Sequence, residues 1–444
     1  MRDVIRHLRR DAGDDVAGLL QACRRLLTER GESNSRAIAA AALERWRELD
    51  ADGIARFFRL LATEFDPDPG EVLRLAENYA VTRSPENLVR LARAAEPPRQ
   101  ELLRRLNRAD GGTAAIVRMR ARLLERLRSD ASLKAVDADF QHLLSSWFNP
   151  GFLRLVQVDW SSPAALLERI IQHEAVHEID GWADLRRRLE PDRRCFAFFH
   201  PALPDEPLIF VEIALLPAMP TAIAPLLDRS APAAVDPAGF KVAAFYSISN
   251  CQPGLRGVNL GNFLIKQVAE RLQGEFPRLR TFCTLSPVPG FAAWLTRVQA
   301  EALGAPRMRA ASRQALREAL AGLRARHGDD LGGLQPTGSA RAAAALAPAD
   351  EAADRAALSA LCAHFLVHRS ATDSPEADPV ARFHLNNGAR LQRINPAGDL
   401  SRKGLRQSFG VMVNYLYDLD EIEANHERFM GSEVAASRGV LALM

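Results

Sequence analysis

Cysteine is scarce in this chain of 444 residues: Cys23, Cys195, Cys251, Cys283 and Cys362 are all there is. They are scattered and odd in number, and no CxxC pair occurs. That excludes a disulfide framework and a zinc knuckle. Reduced thiols in a cytoplasmic protein are the expectation. Lysine is rarer still, with only Lys134, Lys241, Lys266 and Lys403. Arginine is the better fork for carboxylates and phosphates, but a bias this broad reflects composition rather than a site. An excess of charge is missing too. The formal net charge is +3, which makes no global case for nucleic acid or a membrane surface. No apolar run reaches the roughly 18 residues of a membrane-spanning helix. The opening string MRDVIRHLRRDAGDD has no apolar stretch and soon turns acidic, so neither a secretory signal nor a mitochondrial presequence is expected. The final Ala442-Leu443-Met444 is not a peroxisomal address.

What is present suggests two domains, because single cores stop growing near about 250–300 residues. Residues 1–148 read as helix after helix. Apolar residues recur at three and four: Ile54, Phe58, Leu61 and Phe65, then Val72, Leu75 and Tyr79, then Leu102, Leu103 and Leu106. Asp66-Pro67-Asp68-Pro69-Gly70 breaks one helix and caps the next, and Ser84-Pro85 sets a cap before a helical proline. The texture changes at Asn149-Pro150-Gly151. From there, strand-like runs appear at 194–199, 208–215, 242–249, 281–285, 390–395 and 410–417. Helical runs at 163–178, 261–274 and 291–302 lie between them. This alternation predicts a domain over 149–444 with a central sheet. An Ala/Arg-rich stretch over 308–370 reads as a helical insertion.

Four segments could carry chemistry. In 241–272 a strand ends in a Gly-rich turn that opens an amphipathic helix. Small residues let backbone amides approach an anion, and a helix N-terminus adds its dipole. The turn is neither a Walker A loop nor GxGxxG. It resembles the pyrophosphate loop of acyl-CoA acetyltransferases, Q/R-x-x-G-x-G/A, with Arg256 and Gly261 in place and Asn259 for the first glycine. An ordinary strand-to-helix turn would use the same residues. In 281–295 a strand runs into Ser286-Pro287, where sheet enzymes place function and where serine also serves as a simple turn former. In 381–395 His384 precedes Asn386-Asn387-Gly388, a tight turn into a strand; such a histidine is often structural. Finally, His173-Glu174-Ala175-Val176-His177 matches HExxH. On a helix its histidines could ligate zinc. The string is short, its extended form is lacking because Asp180 stands where glycine is needed, and no metal is expected.

Together the strings FYSIS (245–249), GLRGVNLGNFLIKQV (254–268), EFPRLRTFCTLSPVPGF (275–291), FHLNNGA (383–389) and SFGVMVNYLY (408–417) resemble the malonyl-CoA decarboxylase family. The resemblance implies an α+β protein: an all-helical N-terminal domain over 1–148 that helps subunits associate into a dimer or tetramer, then an acyl-CoA acetyltransferase-like (GNAT-like) catalytic domain with a central mixed sheet. It implies decarboxylation of malonyl-CoA to acetyl-CoA without metal or organic cofactor. The family's catalytic serine falls on Ser286 and its catalytic histidine on His384. Its substrate loop falls on Arg256, Gly257, Val258, Asn259, Leu260, Gly261 and Asn262, with Tyr417 near the active site. Some members carry an acidic residue where this chain has Asn259. An acyl-CoA N-acyltransferase of the same fold is the alternative, and a non-catalytic acyl-CoA sensor is a third.

Overall fold

The computed structural model describes residues 2–234, 236–258, 260, 264–304, 308–334, 348–370 and 377–444. Two compact units are present. The first comprises Met1–Arg154, Phe198–Ile209 and Asn250–Gly261; the second comprises Leu155–Ala197, Phe210–Ser249 and Asn262–Met444.

The first unit is built on helices α1 (Arg2–Thr28), α2 (Glu32–Glu48), α3 (Ala51–Glu64), α4 (Pro69–Thr82), α5 (Pro85–Ala95), α6 (Pro98–Leu106), α7 (Gly112–Arg126) and α8 (Lys134–Trp147). The expected caps form. Asp68 accepts the amides of Gly70 and Glu71, with Pro69 starting α4, and Ser84 accepts the Asn87 amide to start α5. These bonds satisfy donors that a helix start leaves without partners. Phe57, Phe58 and Leu61 of α3 are buried, as are Leu102, Leu103 and Leu106 of α6. Helix α5 buries no residue.

The second unit carries most of one mixed sheet. Its strands are β1 (Arg154–Val158), β2 (Arg193–Phe199), β3 (Ile209–Leu216), β4 (Val242–Asn250), β5 (Thr281–Thr284), β6 (Ser286–Pro287), β7 (Arg390–Asn395) and β8 (Met412–Tyr417). The order is β1-β2-β3-β4-β5-β8-β6, and β7 also pairs with β8. Strands β4 and β5 run parallel, whereas β8 is antiparallel to β5, β6 and β7. The connecting helices are α9 (Ala164–His173), α10 (Gly181–Arg188), α11 (Ala224–Leu227), α12 (Leu264–Glu275), α13 (Phe291–Arg297), α14 (Ala310–His327), α15 (Pro348–Arg369), α16 (Pro379–Asn386), α17 (Arg402–Ser408), α18 (Ile422–Met430) and α19 (Arg438–Leu441). A helical region followed by a mixed sheet is the expected class. Among the described residues, no helix is long and apolar enough to cross a membrane.

Two expected helices end early: the one over 163–178 stops at His173 and the one over 291–302 stops at Arg297. The tight turn expected at Asn386-Asn387-Gly388 forms where helix α16 ends and leads into β7, with Gly388 at φ +77°. A Cβ there would lie 2.1 Å from the Ile422 carbonyl oxygen, so glycine is required for close approach as well as for conformation.

Candidate active site

Ser286 and His384 lie far apart in the chain and meet in the second unit. Ser286 Oγ is 3.0 Å from His384 Nε2. His384 Nδ1 is 2.9 Å from the Tyr417 hydroxyl. Ser286 also donates to Thr284 Oγ1 at 2.8 Å. All four side chains are buried.

The sheet explains this meeting. β5 and β6 keep one register against β8: Phe282 faces Tyr417, and Ser286 faces Val413. The ladder breaks between them, and side chains take over its hydrogen bonds. Thr284 Oγ1 accepts the Tyr415 amide at 3.2 Å, and Asn414 Nδ2 donates to the Thr284 carbonyl at 2.7 Å. The Leu285 amide goes instead to the Phe245 carbonyl of β4 at 2.9 Å. Buried backbone groups at the break therefore keep partners, which lets the strand part at low cost. Tyr415 and Tyr417 stand two apart on β8 and so share a face. The Tyr415 ring stacks on His384 with centroids 4.6 Å apart, and Tyr417 meets it edge-on at 6.1 Å.

His384 comes from α16, whose start is capped by Asp378. One carboxylate oxygen accepts the amides of Val380 and Ala381 at 3.0 and 2.9 Å. The other accepts the Gly290 amide at 2.9 Å, four residues beyond Ser286. One buried carboxylate thus ties the segment carrying Ser286 to the helix carrying His384.

Burial pushes the His384 pKa down to about 3, so the imidazole is neutral near pH 7 and carries one N–H. Because Ser286 donates to Thr284, its oxygen accepts from His384 Nε2–H. Nδ1 then accepts from Tyr417. The donor chain runs Tyr417, His384, Ser286, Thr284. Burial raises the Tyr417 hydroxyl well above its ordinary pKa, which keeps its proton in place.

The HExxH string does not form the helical face that a zinc site of this type needs. The Glu174 carboxylate accepts the amides of Val176 and His177, both at 2.8 Å, and turns the chain out of α9. It also accepts the hydroxyls of Ser247 and Ser249. His177 is buried, and burial lowers its pKa to about 4.

Of the anticipated site residues, Ser286, His384 and Tyr417 come together. Arg256, Gly257, Val258 and Leu260 lie in the first unit, after a 3-10 turn over Pro253–Leu255. Asn259, Gly261 and Asn262 lie outside the described residues. Thr284, Asn414, Tyr415 and Asp378 went unnoticed in the sequence. Asp378-Pro379 is a readable helix-start signal; the other three have none short of the strand pairing.

The family model for the malonyl-CoA decarboxylase C-terminal domain matches residues 151–444, and the model for the N-terminal domain matches 65–148. The mitochondrial malonyl-CoA decarboxylase of Rattus norvegicus is 37% identical over 80% of this chain and 73% of its own length. The crystal structure of malonyl-CoA decarboxylase from Rhodopseudomonas palustris superposes with a TM-score of 0.83 at 44% identity, covering 96% of this chain and 98% of that one. The corresponding structure from Agrobacterium vitis gives 0.82 at 46% identity, covering 96% and 99%. On this coverage of both domains, the chain is an enzyme of the malonyl-CoA decarboxylase family.

Proposed function

We propose that this chain converts malonyl-CoA to acetyl-CoA and carbon dioxide, with Ser286 and His384 at the reacting centre. The observation that carries the reading is a buried imidazole held between two hydroxyls, Ser286 on Nε2 and Tyr417 on Nδ1.

Loss of carbon dioxide from a malonyl thioester leaves an enolate. The thioester carbonyl is the electron sink, so the reaction needs no organic cofactor. The protein's tasks are to donate hydrogen bonds to the enolate oxygen, to strip water from the carboxylate and to protonate the α-carbon. His384 is neutral near pH 7 because burial disfavours its charge. A malonyl carboxylate beside it raises that pKa, since an opposite charge favours the charged form. The reactive form of the complex carries His384 as an imidazolium paired with the carboxylate. The C–C bond breaks, its electrons pass to the thioester, and the imidazolium gives its proton to the α-carbon and returns to neutral. Ser286 hydrogen-bonds the acyl group or relays that proton. Arg256 to Asn262 hold the CoA pyrophosphate.

Two further parts belong to this reading. The helical region joins copies of the chain into a homo-oligomer, which the exposed Leu73, Val81, Leu88 and Val89 of α4 and α5 support. A cytoplasmic location suits the five buried thiols. The test is incubation of the purified chain with malonyl-CoA, without added metal. Stoichiometric acetyl-CoA is expected. Acyl transfer to an amine without malonyl-CoA turnover would favour the acyltransferase alternative, and loss of turnover with a chelator would return attention to metal chemistry.

A further inference from the structure

We propose that Arg120, in the N-terminal helical region, is a positioning residue for the nucleotide end of the substrate. The inference rests on reading Arg256 to Asn262 as the pyrophosphate loop. Arg120 lies on α7 and is 1% exposed. Its Nε pairs with Asp137 Oδ1 at 2.8 Å. Its Nη1 donates to two loop carbonyls, Gly254 at 2.9 Å and Arg256 at 2.8 Å. Gln141 of α8 donates to a third, Gly257, at 2.8 Å. The loop also presses on helix backbone: a Cβ on Gly254 would lie 1.9 Å from the Val117 carbonyl oxygen. All of these residues belong to the first unit.

The physical consequence is preorganisation. A phosphate-binding loop works by holding its amides where the anion will sit, and an unheld loop loses affinity to the cost of ordering on binding. Three carbonyls in 254–257 are fixed to helix side chains before any ligand arrives. Arginine suits this task because its planar fork reaches several acceptors and stays charged when buried. Lysine can keep the pair with Asp137 but offers only a point donor. The effect falls on nucleotide binding and spares the chemical step.

The experiment compares malonyl-CoA with malonyl-pantetheine, which keeps the thioester and lacks the nucleotide. Arg120→Lys is expected to raise KM for malonyl-CoA about tenfold, leave kcat within about twofold and leave malonyl-pantetheine kinetics unchanged. A folded Arg120→Lys with unchanged malonyl-CoA KM overturns the proposal, as does an equal loss with both substrates, which marks a role in folding alone. Gln141→Ala is the milder companion, expected to raise malonyl-CoA KM about threefold. If Arg120→Lys does not fold, an unchanged KM in Gln141→Ala overturns the proposal instead. Arg256→Gln separates the two readings. A raised malonyl-CoA KM there beside a normal KM in Arg120→Lys removes the role of Arg120 only; normal values in both remove the pyrophosphate loop itself.

Discussion

His384 is bonded at both ring nitrogens to hydroxyl groups, and a hydroxyl can reverse from donor to acceptor. Ser286 and Tyr417 can therefore follow the imidazole through its neutral and charged forms without rebuilding the site. One prediction follows directly. Binding of a non-reacting carboxylated CoA thioether takes up protons, and increasingly so as the pH is lowered from about 7.5 to about 6, because the carboxylate raises a pKa that burial holds at about 3. Calorimetry in two buffers of different ionisation enthalpy measures the uptake; binding without it would contradict the charged-histidine account. Tyr417→Phe removes the donor to Nδ1 and is expected to lower kcat about tenfold, the worth of one hydrogen bond of about 1.4 kcal/mol, with KM little changed. A wild-type kcat would remove Tyr417 from the chemistry. At this scale the sequence was weakly legible. Ser286-Pro287 and the NNG string after His384 are turn signals by themselves, and only the family strings gave those residues a chemical role. Thr284 and Asn414 matter through a ladder break that no local pattern announces.

Among the elements, caps were the most readable features, because Asp68-Pro69 and Ser84-Pro85 encode a helix start in adjacent residues. Helix ends were less so. Periodicity alone carried the α9 helix through Glu178, whereas a single carboxylate, Glu174, ends it by capturing two following amides. Helix α16 was missed because it is eight residues long, short for a pattern of period 3.6 to show. Helices α4 and α5 carry a prediction about assembly. Val81 is 85% exposed and Leu73 is 65% exposed, and the proposed homo-oligomer covers them. Val81→Glu with Leu73→Glu is expected to lower the oligomeric state in light scattering while helical circular dichroism is retained. An unchanged mass would place self-association elsewhere.

For the whole molecule, linear order was misleading in one respect. The segment 250–258 sits in the second half of the sequence but belongs to the helical unit, held by Arg120 and Gln141. No composition signal links residues so far apart. Stability should also carry a whole-molecule signature. Burial holds His384 at about 3 and both His177 and His364 at about 4. An unfolded histidine titrates near 6.5, so the unfolded chain binds more protons between the folded values and that point. Stability therefore rises with pH across this window and falls on acidification below about pH 6.5, by up to about 1.4 kcal/mol per pH unit for each histidine. His364 is fully buried, and among the described residues neither of its ring nitrogens has a hydrogen-bond partner. His364→Leu should flatten the slope of melting temperature between pH 7 and 5 and raise the value at pH 5, since an apolar group avoids an unmet desolvation cost. An unaltered slope would show that this histidine is not among the acid-sensitive groups.

The central claim is that Ser286 and His384 perform the decarboxylation. The most direct measurement is acetyl-CoA formation from malonyl-CoA by the full chain, Ser286→Ala and His384→Asn, with melting temperatures recorded alongside. The account predicts kcat reduced at least about a hundredfold in each variant, with both still folded. Near-wild-type turnover by either folded variant would contradict it.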